Sequence, residues 1–301
     1  MVVAANVPDI DTVSWFGGSA TYIQWHRNIT HSLIAAPFIA LLAVALVRVI
    51  GRREVRWLRA WAIALAAVAS HLILDLTNVY GVRLWLPFSG QWFHWDLTPI
   101  IDFSIWAILL LGAAAPALGR LVGSEIGETR RESGNAGWAV TALLLLTAYD
   151  YSRSLFHDRA VAIMGSHIYN GLAPRRVGAF PSENPLVWTG MAELSNAYFN
   201  VPVDLRGNFH VSDGETYYKG QRTEAVNAAM ASDPFQKLLT FVQYPLWSVE
   251  PAPDTEHATR VTLLDLRFGT PRQPGFAATA IVNNRNQVIA SHFGMGGTRP
   301  R

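Results

Sequence analysis

Cysteine is absent from this chain of 301 residues. Disulfides and thiolate metal ligands are thereby excluded, and any metal must be held by nitrogen and oxygen. Charge is scarce too: 15% of residues are charged, against roughly 25% in a typical soluble domain. The formal net charge of +2 and the isoelectric point near 9.0 are too mild for a nucleic-acid surface, so no nucleic-acid partner is expected. The chain has no Gly-x-Ser-x-Gly elbow, phosphate loop, dinucleotide fingerprint, secretory signal or internal repeat. His210, His257 and His292 in the C-terminal part are scattered without ligand spacing.

Half of the chain is hydrophobic, and the mean hydropathy is +0.19. The apolar residues are gathered into runs near the roughly 20 residues that a spanning helix needs. The runs are Ser32 to Ile50, Ala60 to Val79, Leu97 to Leu118 and the shorter Ala136 to Tyr149, which is followed by Asp150 and Arg153. Tryptophans 57, 61, 85, 92 and 95 stand near their ends, as interfacial aromatics do. Arg48, Arg52, Arg53, Arg56 and Arg59 make the link between the first two runs the most basic short loop. By the positive-inside rule that link is cytoplasmic, and the loop from Arg120 to Gly134 falls on the same side. The segment Tyr80 to Asp96 and everything after Tyr151 then lie outside.

From His157 onward the composition changes and membrane-length runs end. Phe209–Val211 and Thr216–Tyr218 read as a hairpin around Ser212–Glu215, Glu224 to Phe241 as one helix, and Val261–Phe268 and Ala277–Val282 as strands. Asn283–Asn286 turns the chain into Gln287–Ser291. The expected fold is an α-helical integral membrane protein of about four transmembrane helices with a C-terminal α+β soluble domain. Its divisions are an N-terminal polar, ligand-bearing segment (1–30), a transmembrane helical domain (31–156) and an extracytoplasmic domain (157–301).

The chemistry-bearing residues collect on one side of this map. His71 and Asp75 sit four apart, on one helix face, inside the second apolar run. An Asp at the bilayer centre costs on the order of 2.5–3.5 kcal/mol, so such groups persist where they pair, line a wet cavity or bind an ion. His26 and His31 stand at the mouth of the first run, and Asp96 and Asp102 at the mouth of the third. Asp9 and Asp11 precede the first on the same side, and none of these residues falls in a cytoplasmic loop. Each has a plainer reading as well. His71 and Asp75 form a hydrogen-bonded pair in a bundle, the His26–His31 stretch a polar collar, Asp9 and Asp11 a turn, and Asp96 and Asp102 helix caps. Thr30 is read as an N-cap whose helix N-terminus, with Arg27, offers donors to an anion.

The motifs Asn6-Val7-Pro8-Asp9-Ile10-Asp11, His26-Arg27-Asn28-Ile29-Thr30-His31-Ser32 and His71-Leu72-Ile73-Leu74-Asp75, with Gly81 and Pro87-Phe88 beyond, resemble the YdjM-like family. These are membrane-bound, predicted metal-dependent hydrolases, some under LexA control. The resemblance runs from about Ala4 to Trp106, and Asp265-Leu266-Arg267-Phe268-Gly269 adds to it. It carries the family's polar motifs onto Asp9, Asp11, His26, His31, His71 and Asp75, and more loosely onto Asp96 and Asp102. The family usually opens with a further Thr-His on an extra N-terminal helix. Met1–Asn6 reads as the tail of a longer helix, so an upstream segment is expected.

The expectation is metal-dependent hydrolysis at the outer surface of the inner (plasma) membrane. The ligands are Asp9, His26, His31, His71, Asp75 and Asp102. The ion is Zn²⁺, or Mn²⁺ or Fe²⁺ if carboxylates dominate. Arg27 stabilises the developing anion, and Asp11 or Asp96 serves as general base. The bilayer is a partner, and the substrate is a small molecule or a lipid carrying an ester or phosphoester. The rival is a non-enzymatic membrane protein with a structural metal.

Overall fold

The computed structural model describes all residues except 53, 126–134, 254 and 297–301. The chain opens with a short helix, α1 (Val2–Asn6), a 3₁₀ segment (Pro8–Gly17), α2 (Ser19–Trp25) and a 3₁₀ turn (Ile29–His31). Four longer helices follow: α3 (Ala36–Gly51), α4 (Trp57–Thr77), α5 (Phe103–Glu125) and α6 (Asn135–Gly165).

Small residues let α3 and α4 approach closely. Ala36, Ala40 and Ala43 of α3 and Ala64 and Ala67 of α4 are buried together with Ile39, Val44, Val68 and Leu72, and Ala4 of α1 joins the same cluster. Larger apolar side chains point outward: Leu41, Leu42, Val49, Leu58 and Ile73 are exposed. A Cβ placed on Gly112 of α5 would stand 2.6 Å from Cβ of Ala142 on α6, so glycine is what permits that helix contact.

Among the described residues one helix, Trp57–Thr77, is long and apolar enough to cross a membrane by itself. Ser19–His31 and Ala36–Gly51 reach that length only together, bent by 88° at the break between them. Phe103–Gly119 is a shorter apolar stretch. The first helix starts at Ala36, not Ser32, because Ser32–Ala35 makes a turn ahead of Pro37. The third starts at Phe103, not Leu97. Leu97 and Thr98 instead bond through their amides to the Thr77 carbonyl at 2.8 and 2.9 Å. The fourth runs on through Asp150 and Arg153 to Gly165, so the change of composition at His157 falls within a helix.

That lower part of α6 enters the C-terminal region. Ala160 and Met164 pack with Trp188, Val201 and Val203 beneath an antiparallel meander, β1 (Arg176–Pro181), β2 (Val187–Glu193), β3 (Ala197–Asp204) and β4 (Glu215–Tyr218), paired in that order. A second antiparallel meander holds β5 (Pro245–Pro251), β6 (Thr259–Asp265), β7 (Phe276–Val282) and β8 (Val288–Met295). Two short helices, α7 (Glu224–Met230) and α8 (Asp233–Leu239), cover one face of it.

The single helix expected over Glu224–Phe241 is thus two. Ser232-Asp233-Pro234 breaks it, because proline cannot donate to the preceding turn and suits the first turn of a new helix. The expected hairpin around Ser212–Glu215 is replaced by a 3₁₀ turn (Val211–Asp213), and β4 pairs with β3 instead.

The N-terminal segment is part of the C-terminal core. Ile23 of α2 and Tyr80 of the loop after α4 are buried with Phe235, Phe241, Phe276 and Phe293. Val79 is buried between the two sheets with Phe180, Tyr244, Leu264 and Leu266. A buried ion pair fixes this join. Arg267 Nη2 meets Asp265 Oδ2 at 2.7 Å with both side chains fully enclosed, and Arg267 Nη1 donates to the Val79 carbonyl at 3.0 Å.

Candidate metal centre

Three pieces of chain meet beside the lower half of α4. The 3₁₀ segment supplies Asp9 and Asp11, the turn after α2 supplies His26 to His31, and α4 supplies His71 and Asp75. Helical spacing aims the last two at one point, and His71 Nε2 lies 3.3 Å from Asp75 Oδ2. His31 Nε2 faces His71 Nε2 at 3.2 Å, Asp75 Oδ2 at 3.3 Å and Asp9 Oδ1 at 3.4 Å. Asp9 Oδ1 stands 3.6 Å from His71 Nε2.

Donors bound at about 2.0–2.1 Å around a tetrahedral ion stand about 3.3 Å from one another. Five of the six separations among these atoms are 3.2 to 3.6 Å, near that requirement, and the ligand atoms of Asp9, His31 and His71 all lie within 4.8 Å of one another. Asp75 Oδ2 is buried and accepts no hydrogen bond. A buried acceptor left this way is costly unless a ligand satisfies it. Two nitrogens and two carboxylate oxygens make a donor set for Zn²⁺, or for Mn²⁺ or Fe²⁺. The residues present fit an ion.

Asp11 holds this arrangement from behind. Its Oδ2 accepts from Thr30 Oγ1 at 2.6 Å and from the Arg27 amide at 3.0 Å, and lies 3.1 Å from His31 Nδ1. Its Oδ1 is 2.8 Å from His26 Nδ1. A carboxylate on Nδ1 fixes the proton there and turns the Nε2 lone pair toward the cluster, as the outer partners of metal-ligating histidines do. Asp11 therefore serves as an orienting group, and the donors that fill its oxygens explain why it is poorly placed as a free base. Burial pushes the Asp11 carboxyl up, but hydrogen bonds to His26 and His31 outweigh it and hold it well below the usual carboxylate range. For Asp9, too, burial is outweighed, here by the neighbouring His31 and His71 imidazoles.

Arg27 adopts the left-handed region at φ 54°, a conformation costing roughly 1–2 kcal/mol for an L-residue. The turn aims its amide at Asp11 and its guanidinium at Asp75, with Nη2 at 2.6 Å from Oδ1. Nη1 donates to the Gly81 carbonyl at 3.3 Å, while Nε is buried without an acceptor. Gly81 has φ 82°, and a Cβ there would lie 2.7 Å from the Phe93 carbonyl oxygen, so only glycine places that carbonyl under Arg27.

Not every expected ligand arrives. Asp102 Oδ1 caps α5 by accepting from the Ser104 and Ile105 amides at 2.9 and 3.2 Å. Its Oδ2 accepts from the Tyr149 hydroxyl at 2.8 Å. Asp96, at φ 56°, pairs with His94 Nδ1 at 2.8 Å. The groups able to hold a cation among the described residues are Asp9–His31–His71 and Asp9–Asp11–His26; Asp75 borders the first through its 3.3 Å contacts with His31 and His71, whereas Asp96 and Asp102 touch neither. His26 joins Asp9 and Asp11 in the second of these groups, and its ring stacks on Tyr22 at 4.5 Å. Thr30 caps no helix, since α3 starts at Ala36, and its hydroxyl serves Asp11 instead. The backbone carbonyl of Gly81 and the ring of Tyr80, 5.1 Å under the Arg27 guanidinium, are parts of the site that side-chain chemistry in the sequence does not announce.

The pattern of the YfhP C-terminal alpha/beta plait domain matches residues 224–296, the second sheet with α7 and α8. The Bacillus subtilis (strain 168) protein YfhP, described as uncharacterized, is 23% identical over 294 residues, 97% of this chain and 84% of that protein. The inner membrane protein YbcI of Escherichia coli (strain K12) is 32% identical over 111 residues, 35% of this chain and 62% of YbcI. No solved structure matches. The pattern of the YdjM inner membrane protein family covers residues 1–158, more than half of the chain and all of the cluster just described, and this chain belongs to that family.

Proposed function

We propose that this chain is a membrane-bound, metal-dependent hydrolase acting on an ester or phosphoester at the outer face of the inner membrane. The observation that carries the reading is the uneven enclosure of the four donors. His31 is fully buried, Asp75 and His71 are 11% and 14% exposed, and Asp9 is 44% exposed. A structural ion is closed off by protein, whereas a catalytic one keeps a side open to water and substrate.

Asp9, His31, His71 and Asp75 would hold the ion, with Zn²⁺ the best match. When bound, it supplies Lewis acidity and draws the pKa of a water toward neutrality. The chain's own residues do the rest. Asp11 fixes the tautomer of His31, and the Arg27 guanidinium orients Asp75, with its buried, unpartnered Nε a donor left for developing negative charge. Asp9 is the carboxylate on the open side.

The reading takes α3 to α6 as four membrane crossings, supported by the exposed apolar side chains of those helices, and takes the cluster and the C-terminal domain to be outside, supported by the arginines after α3. The rival reading, a structural ion, draws on the 2.6 Å pairing of Arg27 with Asp75, which closes one side of the site. Elemental analysis of purified protein before and after chelation, followed by hydrolysis of ester and phosphoester probes by the reloaded protein, separates the two. The hydrolase reading expects bound metal and chelator-sensitive turnover. Bound metal with no turnover, and unfolding on chelation, overturns it in favour of the structural ion.

A further inference from the structure

The segment that delivers Asp9 and Asp11 has a second face. In a 3₁₀ helix residues three apart eclipse, so Ile10, Val13 and Phe16 form one edge of Pro8–Gly17. They are 59%, 62% and 91% exposed, with Trp15 beside them at 52%. Contiguous apolar surface of this kind marks a contact with lipid or protein.

Its level in the molecule says which. Asp9 Oδ1 is 3.6 Å from His71 Nε2, and His71 precedes the end of α4 at Thr77 by six residues, about 9 Å along a helix axis. The start of the segment therefore lies beside α4 inward of its end, and the other end leads to Ser19, whose Oγ donates to the Phe293 carbonyl of β8 at 2.6 Å. Ala4, just before it, is packed into the α3–α4 contact, and the chain that follows, Ser19–His31, is bent by 88° from α3. The segment has Asp9 and Asp11 as its charged residues and no Lys or Arg, so attraction to anionic headgroups cannot hold it. Burial of its apolar edge can.

We propose, resting on the hydrolase reading above, that Ile10, Val13, Trp15 and Phe16 insert Pro8–Gly17 into the bilayer leaflet on the cluster's side. The open Asp9 edge then meets lipid headgroups laterally. The substrate class is a membrane amphiphile, an ester or phosphoester whose acyl tail stays in the leaflet, in preference to a water-soluble ester.

The absence of cysteine makes the test direct. Phe16→Cys and, as a control on an exposed turn, Ser212→Cys each carry one fluorophore in vesicles of phosphatidylcholine and phosphatidylglycerol. The Phe16 label should be quenched by nitroxide-bearing lipid and shielded from aqueous iodide, and the Ser212 label should show the reverse. Equal iodide quenching of both overturns the insertion. So does shielding of the Phe16 label from both quenchers, which assigns the ridge to a protein contact. Val13→Asp with Phe16→Asp, at parental metal content, should lower hydrolysis of long-chain phospholipid by an order of magnitude and spare a short-chain soluble ester. An equal fall on both, or none, overturns the substrate class. If the parent hydrolyses neither, the hydrolase reading fails, and the quenching result still decides the insertion.

Discussion

Two buried ionic clusters lie on either side of the loop that follows α4, and they differ in completeness. At Asp265–Arg267 both side chains are fully enclosed, and the guanidinium spends its nitrogens on Asp265 and on the carbonyls of Val79 and Phe241. The carboxylate also accepts from the amides of Gln243 and Arg267. Charge and hydrogen bonds close within the protein. At the Asp9–His31–His71–Asp75 cluster they do not: two imidazole nitrogens face each other, and a buried carboxylate oxygen has only those two nitrogens beside it, at 3.3 Å and out of hydrogen-bond geometry. A complete network is a structural fastener. An incomplete one, assembled from three separate pieces of chain, leaves donors available to a ligand.

The largest effect expected from breaking this contrast is on the closed side. Arg267→Ala leaves Asp265 buried and uncompensated, which costs about 3–5 kcal/mol. Chemical denaturation should show the loss, while metal per folded molecule stays at the parental value. His71→Ala should do the opposite. It should abolish metal binding and remove only the stabilisation that the ion confers, about 2.7 kcal/mol at a free concentration 100 times Kd. Melting with and without chelator would then coincide. A variant still sensitive to chelator would place the ion elsewhere.

Asp11→Asn sharpens the division within the site, since it keeps the shape and weakens the carboxylate–histidine contact. Metal affinity should fall about 10–100-fold, the usual cost of an outer partner, as read by competition with a chelating dye. The same variant exposes a pH effect in metal-free protein. The Asp9 and Asp11 carboxyls are held below their ordinary range, so their stabilisation is complete above that range and lost as pH falls through the folded-state values. On acidification below about pH 4 the parent should lose melting temperature faster than Asp11→Asn. The smallest effect belongs to Asp102→Ala. It removes a cap from α5, about 1 kcal/mol, with no change in metal content. Loss of metal there would return Asp102 to the ligand set.

Legibility in the sequence followed the range of the contacts. His71 and Asp75 are local, four residues apart on one helix, and their convergence could be read directly. Asp9 and His31 required the motif as a whole, because a 3₁₀ segment and a turn carry no periodicity strong enough to fix a side chain's direction. Asp96 and Asp102 were misplaced for a physical reason. Residues 97–98 bond to the Thr77 carbonyl, which delays α5 and leaves Asp102 as its cap. Apolar patterning located the long helices but not their ends. Asp150 and Arg153 do not stop α6, since Arg153 is buried against Trp188 and donates to the Leu97 carbonyl. Pairing β4 with β3 depended on contacts across the sheet that a local turn signal does not contain.

The loop after α4 is gripped twice, two residues apart. Arg267, from the second sheet, holds the carbonyl of Val79, and Arg27, from the cluster, holds the carbonyl of Gly81. Both grips fall on one short span of backbone, which joins the cluster to the sheet. If an ion bound at the cluster raised the free energy needed to open the sheet around Arg267, then by reciprocity loosening that sheet would weaken the ion's binding. The C-terminal domain would in this sense be a second thermodynamic handle on a bound ion, one that hydrogen exchange at the β6 and β7 amides, with metal and without it, can grasp from the far side.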